Sequence, residues 1–445
     1  MTTMPNPRTP GAGLLKVLGV LFGATMVVSG TIGAGILRTP GDVAASLPHR
    51  GWYVGVWIAG GLYALCGAMT LAELGAMLPT SGGQYVFARR ALGEYAGFVI
   101  GWTDWISSAA AVSASSIALG ELSAVLWPQL PLSATAVAVI TTLAFGAVHW
   151  VGVRSGDIST QVIGTLKVVT LLAVAVACFM ATPLAASTRS TTFPAGLAML
   201  GALVMAMQGV LYTYDGWTGL VYFSGEVRDP RHIPRAMALG VATVTLVYVA
   251  LAAAFLHTLG IAGLAGEKFA ARAAAVGLFG PVGDRIVSAV MALSFLGNVG
   301  AILMQTSRVP FAMSQDGLLP KGVSRVNRGG TPDISLLGSV GIALLLIVTG
   351  SFESVLALAA FFYVMQYGVS FTSLFVLRVR EPNLPRPYRA IGYPVIPAIV
   401  LAGATAFVVG SFFGDTANTL RSVVVIALSY PLYRAVAWAR TRRRA

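Results

Sequence analysis

Lys167 and Asp215 are two of the ionisable side chains that lie inside long apolar stretches of the sequence. A charge inside a membrane is costly, so ionisable residues there usually face a protein interior or a water-filled cavity. They commonly mark the route of a proton, an ion or a small charged substrate. These two residues are therefore the first candidates for chemistry in this chain.

Asp215 allows four interpretations. Its carboxylate could pair with the amino group of a substrate, select a substrate with a cationic side chain, or take part in proton coupling. It could instead accept hydrogen bonds from backbone amides that a local unwinding of the helix leaves without partners. Replacement of Asp215 by Asn separates the last interpretation from the others, since a structural role should alter expression alone.

Two segments with helix-breaking composition lie in the middle of apolar stretches. The first is SGTIGAGI (29–36) and the second is YTYDGWTG (212–219), and both combine glycines with polar residues. A glycine destabilises a helix by about 1 kcal/mol relative to alanine. We expect both helices to unwind there, although glycine-rich segments also occur where membrane helices simply pack closely.

An unwound membrane helix leaves backbone groups without partners, and lipid cannot supply any. At the first break, the amides at the start of the following half-helix would direct a partial positive charge towards an anion. These amides belong to Gly33, Ala34 and Gly35. The opposing half-helix ends present carbonyls that suit an ammonium group, at Gly30, Thr31 and residues 212–214. An α-amino acid carries both charges a few ångströms apart.

The elements that must position these segments are membrane-spanning helices. The 445 residues are 56% hydrophobic and only 10% charged, whereas soluble domains carry about 25% charged residues. Apolar stretches of roughly 20 residues recur along the whole chain and predict about twelve spans. We place these spans at 17–46, 52–78, 95–126, 133–150, 158–181, 195–224, 236–260, 283–312, 333–350, 353–379, 393–412 and 418–437.

The distribution of basic residues gives the expected orientation. The formal net charge is +13, and the loops on the side of the two termini carry about three times as many Lys and Arg as the opposite loops. Both termini should therefore be cytoplasmic. A membrane explains this charge better than nucleic acid does, because the basic residues sit in short loops between apolar spans.

Other classes of protein are less well supported. The histidines at positions 49, 149, 232 and 257 are scattered, and the sequence has no HExxH motif or cysteine pair, so we expect neither an enzyme nor a metal or cofactor site. A channel is the leading physical alternative, because broken helices also line pores.

Four long segments occur in the order SGTIGAGIL, AELGAMLPTSGGQYVFARRALGEYAGFVIGW, YTYDGWTGLVYFSGEVRDPRHIPRA and SRVPFAMSQDGLLPK. They closely resemble the amino acid–polyamine–organocation superfamily, particularly its L-type and bacterial permease branch. The resemblance implies an all-α integral membrane fold of the leucine-transporter type, working by alternating access. This fold is a five-plus-five inverted repeat with discontinuous first and sixth helices and two additional C-terminal helices.

The resemblance also implies a domain arrangement. The two repeats would occupy 17–181 and 195–379, and the extra helices 393–437. Tails would lie at 1–16 and 438–445. Paired interruptions at corresponding positions of the two repeats are the sequence pattern expected of a site at the middle of the membrane.

The resemblance assigns roles to individual residues. Tyr212 corresponds to an aromatic lid over the substrate, and Trp217 to the tryptophan that follows the second break. The expected substrate-binding set is Thr31, Ile32, Gly33, Ala34, Gly35, Tyr212, Thr213, Tyr214, Asp215, Gly216 and Trp217. Asp215 departs from the L-type pattern, which has a small residue there.

Lys167 corresponds to a fifth-helix lysine that stands where sodium-coupled relatives bind a cation. We expect Lys167 to replace that ion, either as a fixed charge or as a proton carrier. The expected coupling set is Lys167, Gly30, Ser294 and Asn298. Alternatively, Lys167 extends its ammonium group to the cytoplasmic surface, although it lies about nine residues beyond Ile158.

The expected function is secondary active transport of neutral L-amino acids across the plasma membrane, by exchange or by proton symport. Asp215 leaves cationic amino acids or amines as the alternative substrates. Some L-type relatives depend on a glycoprotein partner, but Cys66 and Cys178 both lie in apolar stretches. With no extracellular cysteine for a linking disulfide, we expect no obligatory protein partner besides membrane lipid.

Overall fold

A computed structural model describes residues 19–80, 82–151, 156–184, 193–327 and 330–442. In these ranges the chain is built of helices, and the only β-type pairing is an isolated bridge between Val326 and Pro332. The helices, in chain order, are α1 (Val20–Thr31), α2 (Ala34–Arg38), α3 (Pro40–Ser46), α4 (Arg50–Met77), α5 (Gln84–Leu92), α6 (Glu94–Leu126), α7 (Ala134–Val151), α8 (Gly156–Met180), α9 (Leu197–Tyr214), α10 (His232–Leu264), α11 (Ala270–Thr306), α12 (Arg308–Gln315), α13 (Asp333–Thr349), α14 (Phe352–Arg380), α15 (Val395–Gly414) and α16 (Thr416–Arg442), with 3₁₀ helices at Gly219–Glu226 and Lys321–Ser324.

The expectation of an all-α membrane protein with about twelve spans is confirmed. Among the described residues, nine helices are long and apolar enough to cross a membrane. Two shorter apolar helices, Thr165–Met180 and Asp333–Thr349, and the interrupted first span account for the rest of the predicted set. The last helix, α16, continues to Arg442, through most of the segment expected to form the basic C-terminal tail.

The first span is discontinuous, as predicted. Helix α1 ends at Thr31, and Ile32 then adopts an extended backbone with a ψ of 101°. Gly33 is also extended, with a φ of −147°, and α2 begins at Ala34. The helical hydrogen-bond pattern is therefore lost over Ile32 and Gly33, close to the middle of the predicted 29–36 segment.

The sixth span is also discontinuous. Helix α9 ends at Tyr214, residues 215–218 form a turn, and the chain resumes as the 3₁₀ helix Gly219–Glu226. Within the turn, Gly216 has a φ of +111°, a conformation that side chains with a Cβ rarely adopt. The interrupted spans are thus the first and the sixth, which is the arrangement expected of a five-plus-five fold.

The two breaks lie directly against each other. A Cβ atom added to Gly216 would lie 2.6 Å from the carbonyl carbon and oxygen of Gly30. Glycine is therefore required at position 216 for two reasons. There is no space for a Cβ atom, and the positive φ disfavours any side chain. The two breaks therefore lie together at one place in the helix bundle.

The interrupted helices lie at the centre of the bundle. Helix α1 packs against α8 and α10, and α9 packs against α4, α14 and α15. Membrane helices gain little free energy by moving apolar side chains from lipid into contact with each other, because lipid is equally apolar. Close packing of their backbones therefore contributes much of what holds them together. A Cβ atom on Gly240 of α10, for example, would lie only 2.6 Å from Cβ of Val27 in α1. Helix α16 is peripheral and largely exposed.

The sequence segment before the third span forms the short helix α5. Its residues Tyr85, Phe87, Ala88 and Ala91 are buried, and α5 packs against α6 and α14. The helix is therefore part of the protein interior, and its first residue, Gln84, reaches the centre of the bundle.

Different ion pairs lie at the two ends of the bundle. At one end, here called the Arg38 end, Arg38 of α2 contacts acidic residues that begin or end other helices. At the opposite end, the Glu73 end, the buried carboxylate of Glu73 accepts hydrogen bonds from Arg378 at 2.9 and 2.5 Å and from the amide of Ala390 at 2.6 Å. Arg386 lies 3.4 Å from the same carboxylate.

Candidate functional site between two helix breaks

A cavity opens beside the two breaks, on the side that faces the Glu73 end. It is lined by Met26, Ser29, Gly30, Gln84, Asp104, Ser108, Asp215, Gly216, Thr218, Gly219, Tyr222, Ala301, Ile302, Met304, Gln305, Tyr363 and Gln366. Gly30, Asp215 and Gly216, from the expected sets, are among them. The cavity therefore connects the two breaks with α5, α6, α11 and α14.

The cavity lining contains two carboxyl groups and no basic side chain. Asp104 and Asp215 contribute carboxylates, and the lining residues include no Lys, Arg or His. Among the described residues, no group of His, Cys, Asp and Glu could hold a metal ion. The arrangement suits a small ligand with positively charged groups.

Asp215 is held at the second break by α14. The hydroxyl of Tyr367 donates a hydrogen bond to its carboxylate, and Trp217 packs against the ring of the same tyrosine with centroids 4.7 Å apart. The backbone amide of Asp215 caps the end of α9 by donating to the carbonyls of Leu211 and Tyr212. The carboxylate is thus fixed in place at the edge of the cavity.

Asp104 is a cavity residue that was not among the site residues predicted from the sequence. Tyr222, from the 3₁₀ helix after the second break, donates a hydrogen bond of 2.7 Å to Oδ2, and Ser108 contacts Oδ1 at 3.4 Å. An acidic residue in the middle of the span predicted at 95–126 was the available signal. Its position beside the breaks depends on the packing of α6 against segments that are far away in the sequence, such as the 3₁₀ helix that carries Tyr222.

The first break is stabilised by side chains from other helices. The Tyr248 hydroxyl donates a hydrogen bond of 2.7 Å to the carbonyl of Thr31. Lys167, which is only 4% exposed, donates a hydrogen bond of 3.1 Å to the carbonyl of Ile32. The alternative in which Lys167 extends to the membrane surface is therefore wrong for this structure. Each carbonyl retains a second lone pair.

Asn298 and Ser294 lie one turn apart on α11, and both are buried. A Cβ atom on Gly33 would be 2.4 Å from Nδ2 of Asn298, so Asn298 sits against the first break. Its Nδ2 donates to Ser115 Oγ at 2.9 Å. Asn298 Oδ1 and Ser294 Oγ have no hydrogen-bond partner among the described residues.

Several expected binding residues pack between helices instead of lining this cavity. The Thr213 hydroxyl donates to the carbonyl of Gly209 at 2.6 Å, and the Tyr214 hydroxyl donates to that of Trp57 at 3.0 Å. Tyr212, expected as a lid, lies on the Arg38 side of the break and packs edge-on against Phe352, with centroids 6.4 Å apart. A Cβ atom on Gly35 would lie 2.7 Å from Thr213, so α2 and α9 touch here.

The Arg38 end of the site is closed by an ionic cluster that was not predicted from the sequence. The guanidinium of Arg38, which is 1% exposed, contacts three carboxylates at 2.8 to 3.0 Å. They belong to Asp42 of α3, Glu121 of α6 and Glu353 of α14. Arg38 also lies over the ring of Phe352, 4.6 Å from its centroid. This cluster ties the half-helix after the first break to two other spans.

Comparisons with known proteins agree with this architecture. A family model described as amino acid permease matches residues 15–433. The chain is 29% identical to the serine/threonine exchanger SteT of Bacillus subtilis over 438 residues, which cover 96% of this chain and 98% of that protein. It is 29% identical over 408 residues to the large neutral amino acids transporter small subunit 2 of Oryctolagus cuniculus, covering 87% and 74% of the two chains. It is 26% identical over 422 residues to the b(0,+)-type amino acid transporter 1 of Homo sapiens, covering 91% and 83%.

Proposed function

The chain belongs to the amino acid permease family, and we propose that it carries neutral L-amino acids across the plasma membrane by alternating access at the two helix breaks. It is a multi-pass membrane transporter of amino acids. The observation that carries the proposed site is the contact between Gly30 and Gly216, which brings both interruptions to the edge of one cavity.

The geometry of the breaks supports binding of a zwitterion. Helix α2 begins at Ala34, so its first amides are free of helical partners and favour a carboxylate. The backbone around Gly30 and Gly216 borders the cavity, and Asp215 adds a carboxylate there. The α-carboxylate of an amino acid would accept hydrogen bonds from the free amides at the breaks, and its α-ammonium group would donate hydrogen bonds to the free carbonyls. The eleven residues of the expected substrate-binding set remain our proposal for this site, some as direct contacts and others as the packing that holds them.

The charge bias of the loops supports the orientation. We place the Glu73 end and both termini in the cytoplasm. The cavity then lies on the cytoplasmic side of the breaks, and the Arg38 cluster closes the extracellular side. The repeats at 17–181 and 195–379 would move relative to each other to open that side.

For coupling we propose Lys167, with Gly30, Ser294 and Asn298 around it. Its contact with the Ile32 carbonyl links α8 to the first break without an inorganic ion. Exchange and proton symport are both compatible with this link. They differ in whether the ammonium group of Lys167 keeps its proton throughout the cycle.

A second candidate substrate class is cationic amino acids or amines. It is favoured by one observation: the Asp215 carboxylate lines the cavity, where no basic lining residue neutralises it. The relatives are named for serine and threonine, for large neutral amino acids and as b(0,+)-type, so the family resemblance alone does not choose between the classes.

We also propose that the chain works without an obligatory protein partner. One relative is named as a small subunit, whereas the Bacillus subtilis relative, which this chain matches over 98% of its length, is named simply as an exchanger. Both cysteines of the chain are unpaired within buried or half-buried helical segments, where they are poorly placed for an external disulfide.

Uptake into proteoliposomes containing only this purified chain tests these proposals. We expect saturable uptake of radiolabelled neutral L-amino acids, accelerated by the same amino acid loaded on the other side. An imposed pH gradient separates symport from exchange. Uptake that does not saturate and gains nothing from preloading would favour a channel, and uptake that requires an added partner would contradict the single-chain proposal.

A further inference from the structure

Three exposed arginines lie close together in the sequence at the start of α10. Arg228 and Arg231 come just before this helix, and Arg235 is in its first turn. The start of α10 lies at the Glu73 end of the bundle, because a Cβ atom on Gly75 of α4 would be 3.6 Å from Cγ2 of Ile233. We call Arg228, Arg231 and Arg235 the α10 arginines.

Two of the α10 arginines continue the outward face of the helix. The helical repeat of 3.6 residues places Arg231, Arg235, Leu239 and Leu246 on one side. The two leucines are 51% and 67% exposed, so this side faces lipid. The opposite side packs into the bundle through the buried residues Ile233, Ala236, Met237, Val241 and Val244.

The position of Arg235 along the helix gives the depth of these charges. No Asp, Glu, Lys or Arg occurs between Arg235 and Glu267, and α10 is one of the helices apolar enough to cross a membrane. The α10 arginines therefore stand where the apolar surface begins, which is the depth of the lipid headgroups.

The α10 arginines form no salt bridge with a carboxylate of the described residues. Asp229, which lies among them, accepts a hydrogen bond from the backbone amide of Arg231 at 2.9 Å. By contrast, the exposed Arg90 is paired with Glu381 at 2.8 Å. The first turn of α10 also contains no acidic residue, although a helix N-terminus favours negative charge and disfavours positive charge. An anion placed here would be stabilised by the arginines and by the helix together.

The chemistry of the missing anion follows from the two kinds of surface. Guanidinium groups donate pairs of parallel hydrogen bonds to phosphate oxygens. The apolar stripe formed by Leu239 and Leu246 continues directly from the arginines and suits an acyl chain. A phospholipid with a net negative charge carries both groups in this order, whereas a free phosphate would leave the stripe unused.

We propose that the α10 arginines bind the headgroup of an anionic phospholipid in the leaflet at the Glu73 end, with an acyl chain along Leu239 and Leu246. This site is separate from the substrate cavity and goes beyond the proposed function. The bound lipid would hold the start of α10 against the first interrupted span, since a Cβ atom on Gly23 of α1 would lie 2.8 Å from Cβ of Ala236. Anionic lipid should therefore accelerate transport.

Binding is measured as the rise in thermal unfolding temperature of the purified chain in a neutral detergent when dioctanoyl phosphatidylglycerol is added. The variants carry Arg→Gln or Arg→Lys at all three positions, 228, 231 and 235. The matched control is the triple variant Lys321→Gln, Arg389→Gln and Arg434→Gln, which removes three exposed basic residues from the same side of the membrane. We expect a saturable rise in wild type and control, a smaller rise in the Arg→Lys variant and none in the Arg→Gln variant.

Dioctanoyl phosphatidylcholine and inorganic phosphate are the comparison probes, and neither should reproduce the rise. An equal rise with inorganic phosphate would assign the arginines to a free anion, and an equal rise with phosphatidylcholine would show that charge is not recognised. A rise that persists in the Arg→Gln variant, or is lost equally in the control, would reflect general surface charge. Each of these results would overturn the lipid site.

Uptake of a neutral L-amino acid is then compared in phosphatidylcholine vesicles with and without phosphatidylglycerol. Wild type and the control should transport at least threefold faster with the anionic lipid, and the Arg→Gln variant should keep the slower rate in both. Equal acceleration of the Arg→Gln variant would contradict the effect on transport. Absence of uptake in every vesicle would contradict the proposed function, while the unfolding measurement would still decide the lipid site.

Discussion

The ammonium group of Lys167 donates a hydrogen bond to the carbonyl oxygen of Ile32, the residue at which the first span loses its helical conformation. The donor belongs to the middle of α8 and the acceptor to the break between α1 and α2. A carbonyl released by an interrupted helix needs a partner inside the membrane. Any movement of α2 relative to α8 therefore changes the surroundings of a buried charge.

We predict that Lys167→Ala lowers the initial rate of amino acid uptake at least tenfold. The substitution leaves the Ile32 carbonyl without this donor, which costs about 1–3 kcal/mol, and it removes the charge expected to replace an ion. Uptake is measured in proteoliposomes with and without an imposed pH gradient. Lys321→Ala, in an exposed 3₁₀ helix, is the control. Unchanged uptake and unchanged pH dependence in Lys167→Ala would reduce Lys167 to a structural role.

Local composition was sufficient to predict the interruptions of the first and sixth spans. In both cases, glycines and polar residues appear where an uninterrupted apolar helix would be expected, and the structure has its breaks at 32–33 and 215–218. Lys167 could also be recognised, because an isolated charge in an apolar span is unusual whatever its partner. Such features depend only on neighbours in the sequence.

The closure of the Arg38 end could not be predicted in this way. Arg38 is separated from Glu121 by 83 positions and from Glu353 by 315, and each residue alone resembles an ordinary charge at the end of a span. The same limit applies to Asp104, whose place in the cavity follows from the packing of α6 beside the second break. Tyr212 is assigned to the substrate site by resemblance alone, and its packing on Phe352 likewise could not be predicted from neighbours in the sequence.

We predict that Arg38→Ala opens the Arg38 end of the protein. Three carboxylates on α3, α6 and α14 then lose their shared partner and repel one another. Removing one member of a buried ion pair costs about 3–5 kcal/mol, and the partial exposure of Asp42 and Glu353 reduces this to roughly 1–3 kcal/mol. Labelling of Tyr212→Cys by a membrane-impermeant thiol reagent, in a background without Cys66 and Cys178, reports the opening.

Arg272→Ala is the matched control for this experiment. It removes another arginine–aspartate pair, with Asp284 at 2.7 Å, but that pair bridges the kink at Gly280 inside α11 and joins no separate spans. We expect faster labelling in Arg38→Ala and the wild-type rate in Arg272→Ala. Equal labelling rates in both variants would show that the Arg38 cluster does not hold this end closed.

We predict that Gly216→Ala severely reduces uptake, because the contact between the two breaks leaves no room for a Cβ atom. The new atom would lie 2.6 Å from the Gly30 carbonyl, and the positive φ adds a strain of about 1–3 kcal/mol. Two alanine variants separate these causes. Gly55→Ala, in α4, has neither clash nor positive φ, and Gly260→Ala has a φ of +65° but no atom within 4 Å.

Uptake per folded molecule and the thermal unfolding temperature are measured for all three glycine variants. Gly55→Ala should behave as wild type, Gly260→Ala should lose stability but keep transport, and Gly216→Ala should lose both. If Gly216→Ala transports as well as Gly260→Ala, the close approach of the breaks is not needed for transport.

We predict that Asp215 and Tyr367 act as a coupled pair. A hydrogen bond to a charged group contributes about 1.5–3 kcal/mol, so Asp215→Asn and Tyr367→Phe should each impair uptake, and the double variant should be less impaired than the sum of the two. The double-mutant cycle uses initial uptake rates of L-norleucine, normalised to folded protein. Tyr388→Phe is the control, since its hydroxyl contacts Met69 Sδ at 3.7 Å and the backbone of Ile391, and neither residue lines the cavity. Additive effects of the two substitutions would contradict the coupling, and a loss of expression in Asp215→Asn with normal uptake per folded molecule would assign Asp215 to the stability of the unwound segment alone.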